Sequence, residues 1–325
     1  MKHNTHIYLA MKGIEFLYVG LGNLHYPRSN KKAASKTITK IRREGKILQR
    51  MLMHYKDIIS EASWAPDDIL NDKSQYHTFK LFTEREFPQS SSFAKEIHKK
   101  DYYRASGGGG LPYKVDHLAR VISDMDKLRR YNDRCTMQQI MYQYLMISHY
   151  IVDAHVPMHC DLRDDPPSAK DKTKPRNGKY YTDKLHGQIE QLWENAVNPI
   201  AIKESIIEVK RKKDKKPPNA LSKQIRFNVT NSSHCDEIKP YLISERGLME
   251  YMIDLCIQTK ERSLLLFPIN DPTNWDKQIF PEMTREIFAQ IISNLISVWI
   301  WMWGRIKSFN HFMFEDIVFS YMKTT

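Results

Sequence analysis

Residues 148–159 read Ser148-His149-Tyr150-Ile151-Val152-Asp153-Ala154-His155-Val156-Pro157-Met158-His159. Apolar positions over residues 136–155 recur with a helical period, so His149 and Asp153, four apart, project from one face of a helix. Pro157 ends or bends that helix, and His159 arrives from the turn. A second pair with the same spacing, His186-Gly187-Gln188-Ile189-Glu190, lies in another helical pattern. Imidazole and carboxylate at this spacing reach one point without backbone strain, which is how helices hold transition metals. A single HxxxD or HxxxE arises easily by chance, and a lone histidine is usually a satisfied core or surface residue. Two pairs with His159 between them favour a metal site. A hydrolytic triad fits poorly: Ser148 and His149 are adjacent on the helix and face different ways, and neither GxSxG nor HExxH occurs.

Helical periods extend outward from this stretch. They predict helices over Thr5–Leu21, about Ser35–Ile59, Tyr113–Leu128, Thr136–His155, Thr182–Val197 (Thr182 as N-cap) and Ile287–Trp303. Trp64-Ala65-Pro66-Asp67-Asp68 breaks the pattern, because the residue before a proline resists the helical region. No strand-period run or repeat is present, and 12 Gly and 15 Pro are few for a chain of many short strands. The fold class is therefore all-α. The run from Ser106 through four glycines to Pro112 lacks the GK[ST] ending of a phosphate loop and reads as a connection. Ile287–Trp303 has the look of a membrane span, but Gln290, Ser293, Asn294 and Ser297 form a polar stripe at helical spacing, so it reads as a core helix. Trp301 continues that stripe, either as a partly exposed indole near a site or lipid interface or as an ordinary buried one.

The chain has 325 residues, of which 41% are hydrophobic, enough to bury a core and too apolar for disorder. It reads as one domain over 1–325, with an exposed basic insertion at about 205–239 that contains Lys210–Lys216. Four dispersed cysteines without a CxxC argue against a disulfide scaffold or zinc finger. The N-terminal Met1–Leu17 lacks the features of a secretory signal, so the chain reads as cytosolic, or secreted if already processed. Fifty Lys+Arg against 38 Asp+Glu give a net charge of +12, which suits an anionic partner. The alternative is a solvated surface that happens to be basic.

The pattern HYxxDxxxPxH followed by HxxxE resembles the zinc-dependent phospholipase C family, whose relatives include fungal single-strand-specific nucleases. The resemblance covers residues 1 to about 200. Asn4-Thr5-His6 is similar to the family's N-terminal histidine, and Trp64-Ala65-Pro66-Asp67 with His77 is similar to its Asp…His pair, Asp68 being the alternative to Asp67. The Trp-rich Ile287–Trp303 is similar to the family's closing helix. The resemblance implies two or three zinc ions. Asp67, His77 and His149 would hold one, with Asp153 bridging; His159, His186 and Glu190 a second; His6 and Asp153 a third. In the family an N-terminal Trp completes the third site. This sequence starts Met1-Lys2-His3, so the Met1 amine or His3 substitutes, or the site is dinuclear. Cys160 is adjacent to the centre or incidental to it.

Such a centre suits phosphodiester hydrolysis, because divalent ions polarise phosphoryl oxygens and lower the pKa of a bound water to about 7. The catalytic residues implied are Asp67, which orients that water or takes its proton, and Asp153. Imidazole and carboxylate ligands without thiolate suit zinc without excluding iron or manganese. Three functions follow. The first is a phospholipase C-like enzyme releasing diacylglycerol and a phosphorylated headgroup, favoured by Glu190 where the nucleases typically use Asp. It would be a monomer that contacts the membrane peripherally and has no transmembrane segment. The second is a single-strand nuclease, with the Lys-rich stretch 170–179 along the phosphates and Tyr150, Tyr180 and Tyr181 as stacking candidates. The third is a non-catalytic binding protein stabilised by metal.

Overall fold

A computed structural model describes residues 1–24, 31–72, 75–87, 94–97, 101–132, 134–164, 185–204, 206, 219–243, 247–269 and 275–306. The expected Lys-rich stretch 170–179, Tyr180, Tyr181, the Thr182 N-cap and Lys210–Lys216 lie outside the described residues. The architecture is all-α, with twelve α-helices among the described residues and one small sheet.

Helix α1 (His3–Gly20) is the centre of the bundle. Ile7, Tyr8, Leu9, Ala10, Ile14, Phe16 and Leu17 are all buried, so this helix is covered over most of its circumference, with a partly exposed stripe through Asn4, Met11, Glu15 and Tyr18. Helices α6 (Met137–Asp153), α8 (Leu185–Lys203) and α12 (Phe280–Ile306) pack around it. Gly13 makes the approach to α12 possible: a Cβ there would sit 3.1 Å from Leu295 and Trp299. Helix α2 (Lys31–His54) covers a flank, burying Ile41, Leu48 and Leu52 and exposing Lys36, Arg42, Arg43, Lys46 and Arg50.

Helix α12 is the one described helix long and apolar enough to cross a membrane, and 94% of its most apolar window is buried inside the protein. Its polar stripe faces protein. Ser293 Oγ accepts from the Lys239 amide (2.9 Å) and Ser297 Oγ from the Tyr241 amide (2.8 Å). Asn294 Nδ2 lies 2.8 Å from His155 Nε2. The stripe thus satisfies the backbone of segment 238–243 and the buried His155. Trp301 is buried beneath the Arg305 guanidinium.

Helix α6 starts with a capping box: Gln139 N donates to Thr136 Oγ1 (3.2 Å), and Thr136 N donates to Gln139 Oε1 (2.7 Å). It ends at Asp153. Pro157 then opens the one-turn α7 (Pro157–Cys160) at a position where its missing N–H costs nothing. Helix α8 runs six residues beyond the expected Val197, through Pro199, because Ile200 and Ala201 remain buried. Helix α11 (Gly247–Leu266) was not expected from periodicity.

The sheet is also unanticipated. Strands β1 (Leu81–Phe82), β2 (Ala94–Ile97) and β3 (Tyr103–Ala105) are antiparallel in the order β1-β3-β2, with Leu81 opposite Arg104 and Phe82 opposite Tyr103. The glycine run follows β3 and leads into α5 (Leu111–Asn132). Within the span read as an exposed insertion, α9 (Ala220–Gln224) and α10 (Ser232–Glu237) flank Ile225, Phe227 and Ile238, all three fully buried.

Candidate metal centre

Five helices and a turn converge on one point. His6 comes from the first turn of α1, and Asp67 from the short α4 (Ala65–Asp68). His77 comes from the turn at 75–77, His149 and Asp153 from the end of α6, His159 from α7, and His186 and Glu190 from the start of α8. Helix α1 owes its place here to a neighbour. The Asn4 and Thr5 amides and the Thr5 hydroxyl donate to the Glu194 carboxylate of α8 at 3.1, 3.0 and 2.9 Å. A buried carboxylate thereby caps a helix that has no side-chain cap of its own.

Asp153, 1% exposed, is the hub. Its Oδ1 lies 3.2 Å from the Met1 ammonium, 3.5 Å from His159 Nδ1 and 3.6 Å from His6 Nε2. Its Oδ2 lies 2.7 Å from His77 Nδ1 and 3.2 Å from His149 Nε2. Asp67 Oδ1 sits at the rim, 3.7 Å from both His77 Nε2 and His149 Nε2, and no comparable approach is made by Asp68 among the described residues. Glu190 Oε1 lies 2.8 Å from the Met1 ammonium, 3.2 Å from His186 Nε2 and 3.7 Å from His159 Nε2.

Among the described residues, three groups have ligand atoms close enough to share an ion: His6, His149 and Asp153; Asp67, His77 and His149; and His159, His186 and Glu190. His149 occurs in two of them. Its Nδ1 lies 2.9 Å from the Ser63 carbonyl, which leaves Nε2 to serve one ion. The residues fit such ions on a further count. His6 Nδ1 and Nε2, His77 Nε2 and His159 Nδ1 are buried with no hydrogen-bond partner among the described residues. Each such nitrogen costs about 1–3 kcal/mol unless something coordinates it.

The electrostatics sort the group. Burial, reinforced by His149 and the Met1 ammonium, holds His6 well below its ordinary range. Burial brings His159 down to about 4, against the pull of Asp153 and Glu190. Both are neutral imidazoles, the form that ligates. For Asp153 burial is unfavourable to the charge, but the Met1 ammonium and His149 outweigh it and keep the carboxyl far below its usual range. Burial also opposes a charged His186, yet hydrogen bonds to Asp164 and Glu190 raise it to about 9. Burial lifts Asp67 above the ordinary carboxylate value, with Asp153 adding to the shift and His149 and His77 opposing it.

Asp67, His77, Asp153, His159, His186 and Glu190 line a cavity of about 970 Å³. On the sheet side it is lined by Gln75, Thr78, Lys80, Arg104 and three glycines, Gly107, Gly109 and Gly110. The glycine run is thus more than a connection. Gly109 has φ +98, and a Cβ there would lie 2.1 Å from the Thr78 carbonyl oxygen, so only glycine fits this wall.

Other side chains resolve as support. Tyr150 is fully buried and donates to Asp72 Oδ2 (2.6 Å), so it offers no surface for stacking a base. Cys160 Sγ lies 3.5 Å from the Ala154 carbonyl. Trp64 sets its ring near His3, His6 and His149, with centroids 5.2, 5.5 and 5.6 Å away. Glu194, Asp164 and Lys80 were not anticipated. Glu194 carries a signal, since it lies four residues beyond Glu190 on the same helix face; Asp164 and Lys80 carry none.

No family model matches the chain, and no curated protein matches it. Among solved structures it is similar to a crystal structure of Clostridium perfringens alpha-toxin isolated from avian strain SWCP. That similarity has 13% sequence identity and a TM-score of 0.44, covering 95% of this chain and 65% of that one. The chain therefore spans just under two thirds of the length of the alpha-toxin chain it matches.

Proposed function

We propose that the protein is a metal-dependent phosphodiester hydrolase of the phospholipase C type, using two or three zinc ions. The observation that carries this reading is the convergence of three ion-compatible groups beside one cavity, with buried imidazole nitrogens that have no hydrogen-bond partner among the described residues. Asp67, His77 and His149 would hold one ion, and His159, His186 and Glu190 another. His6 and Asp153 would hold a third, beside the Met1 amine. When bound, such ions polarise phosphoryl oxygens and lower the pKa of a coordinated water to about 7.

The chain's own residues do the rest. Asp67 stands at the rim with its side chain 34% exposed, accessible to water and set beside His77 and His149. That exposure places it to orient an attacking water or to accept its proton and pass it to solvent. Asp153 holds His77, His149 and His159 around one carboxylate and fixes their mutual placement. Arg104 adds positive charge to the sheet-side wall, which suits an anionic diester. Zinc is the ion proposed, because imidazole and carboxylate ligands suit it and the sequence pattern resembles a zinc-dependent family.

A single-strand nuclease is the second reading, favoured by the +12 net charge and the exposed cations of α2. Phospholipase action is preferred because of Glu190 and the sequence pattern around it. The two separate in one experiment. Zinc-loaded protein is incubated with mixed phospholipid vesicles and, in parallel, with single-stranded DNA, each with and without chelator. Chelator-sensitive release of phosphorylated headgroup supports the first reading. DNA cleavage without headgroup release replaces it with the second. Neither activity, from folded protein with zinc bound, leaves the non-catalytic binding role.

A further inference from the structure

We propose that the Lys80–Asp164 ion pair is a positioning couple for His186, fixing which ring nitrogen faces the cavity and so setting the cation affinity of the His159–His186–Glu190 group. The inference rests on the metal-centre reading above and extends it to two residues outside the ligand set.

Asp164 Oδ2 receives the Lys80 ammonium at 2.9 Å and lies 3.2 Å from His186 Nδ1. With Nδ1–H engaged there, Nε2 turns to Glu190 Oε1, 3.2 Å away. A histidine whose far nitrogen is tied to a carboxylate presents one tautomer and one ring orientation to a metal, and is more basic for it. His149 has the same arrangement with a backbone acceptor, the Ser63 carbonyl at 2.9 Å, behind an Nε2 that faces Asp153. The centre uses the device more than once, and at His186 the acceptor is a carboxylate that is itself held by a lysine.

Lys80 is placed to make the couple rigid. It is 6% exposed, and its ammonium also donates to the Met158 carbonyl at 2.6 Å, one residue before His159. Its neighbour Phe79 donates its amide to the His159 carbonyl at 2.9 Å. The Lys80 backbone bonds to Gly108 and Ala105, at 2.6 and 3.0 Å, so it moves only with the sheet. Two of the three residues in the group, His159 and His186, are thereby referenced to the same two residues, Phe79 and Lys80.

The test measures zinc binding, not turnover. Wild-type protein, Asp164→Ala, Asp164→Asn and Lys80→Met are titrated with Zn²⁺ against a chromophoric chelator, and their Co²⁺ forms are compared by visible absorption. Wild type is expected to take at least two ions. Asp164→Ala should lose about 10–100-fold in affinity for one ion and leave the others unchanged. Asp164→Asn, which keeps an oxygen for Nδ1–H without the charge, should lose less. Lys80→Met should weaken the same ion, and the Co²⁺ bands of that ion alone should change. Zinc affinities within twofold of wild type in Asp164→Ala, or a parallel weakening of every ion with a lowered Tm, would overturn the couple. Absence of zinc binding by the wild type would instead overturn the metal reading and this inference with it.

Discussion

Asp153 has five imidazole or ammonium neighbours within 3.6 Å and is almost fully buried. An amide at that position keeps the shape and loses the charge. Asp153→Asn is expected to reduce zinc-dependent phosphodiester hydrolysis at least about 100-fold while the protein still folds, as judged by circular dichroism. Full activity in that variant would remove Asp153 from the proposed mechanism. Glu194 acts differently, through the cap on α1. Glu194→Ala leaves three donors without their acceptor and should cost about 1–3 kcal/mol in chemical denaturation, with Glu194→Gln milder. The residues that share a helix turn are legible in the amino-acid sequence alone: His149 with Asp153, and His186 with Glu190. Their grouping with His6, Asp67 and His77 came from the family resemblance, because spacing says nothing about which helices meet. Asp164 is invisible there, being one acidic residue in a polar stretch until the fold sets it against Lys80 and His186.

At the scale of elements, the polar stripe of α12 shows how a correct pattern can hide its partner. Gln290, Ser293, Asn294 and Ser297 were readable as a stripe, but the surface they meet is the 238–243 segment and His155 rather than solvent. His155 is fully buried, with Nδ1 2.7 Å from the Ile151 carbonyl, and burial lowers it to about 3. Its folded pKa lies below its unfolded value of about 6.5, so the unfolded chain binds the extra proton between those limits. Stability from His155 is therefore complete above about pH 6.5 and is lost on acidification at about 1.4 kcal/mol per pH unit. His159, at about 4, adds to the same fall in the metal-free protein. His186, raised to about 9, has the opposite sign: its contribution is complete below about pH 6.5 and is lost as pH climbs through 9. Chelator-treated protein should thus show its highest Tm near pH 6.5, with a drop toward pH 4 in thermal melts; a Tm that rises on acidification would contradict the assignment of His155 as a neutral core residue. Gly109→Ala should also disturb an element, forcing the loop off Thr78 at about 1–3 kcal/mol and lowering hydrolysis. Helix α11 escaped a reading by periodicity because Thr259, Lys260 and Ser263 lie on its buried face. Lys260 bonds there to Asp161 (2.7 Å) and to Glu86 (2.5 Å), a burial that a hydrophobic pattern cannot announce. The sheet escaped for another reason: a strand of two residues, Leu81–Phe82, is too short to show a period.

Over the whole molecule, the all-α class was legible because helical periods are long and repeated, and a chain of 325 residues has a core large enough to bury most of α1 and α12. The charge is a property of the same scale. An excess of +12, with Lys36, Arg42, Arg43, Lys46 and Arg50 exposed along α2, should draw the protein to anionic vesicles. That binding should weaken markedly in a sedimentation assay as salt rises from about 0.05 to 0.5 M, because screening shortens the reach of each charge. In the proposed function, charge would bring a substrate to the protein and the metal centre would cleave it. The decisive measurement is phosphorylated headgroup release from mixed phospholipid vesicles by zinc-loaded protein, with and without chelator. A zinc-dependent hydrolase of the proposed kind gives release that chelator abolishes and added zinc restores. Release that persists in chelator, or none from folded protein with zinc bound, would contradict it.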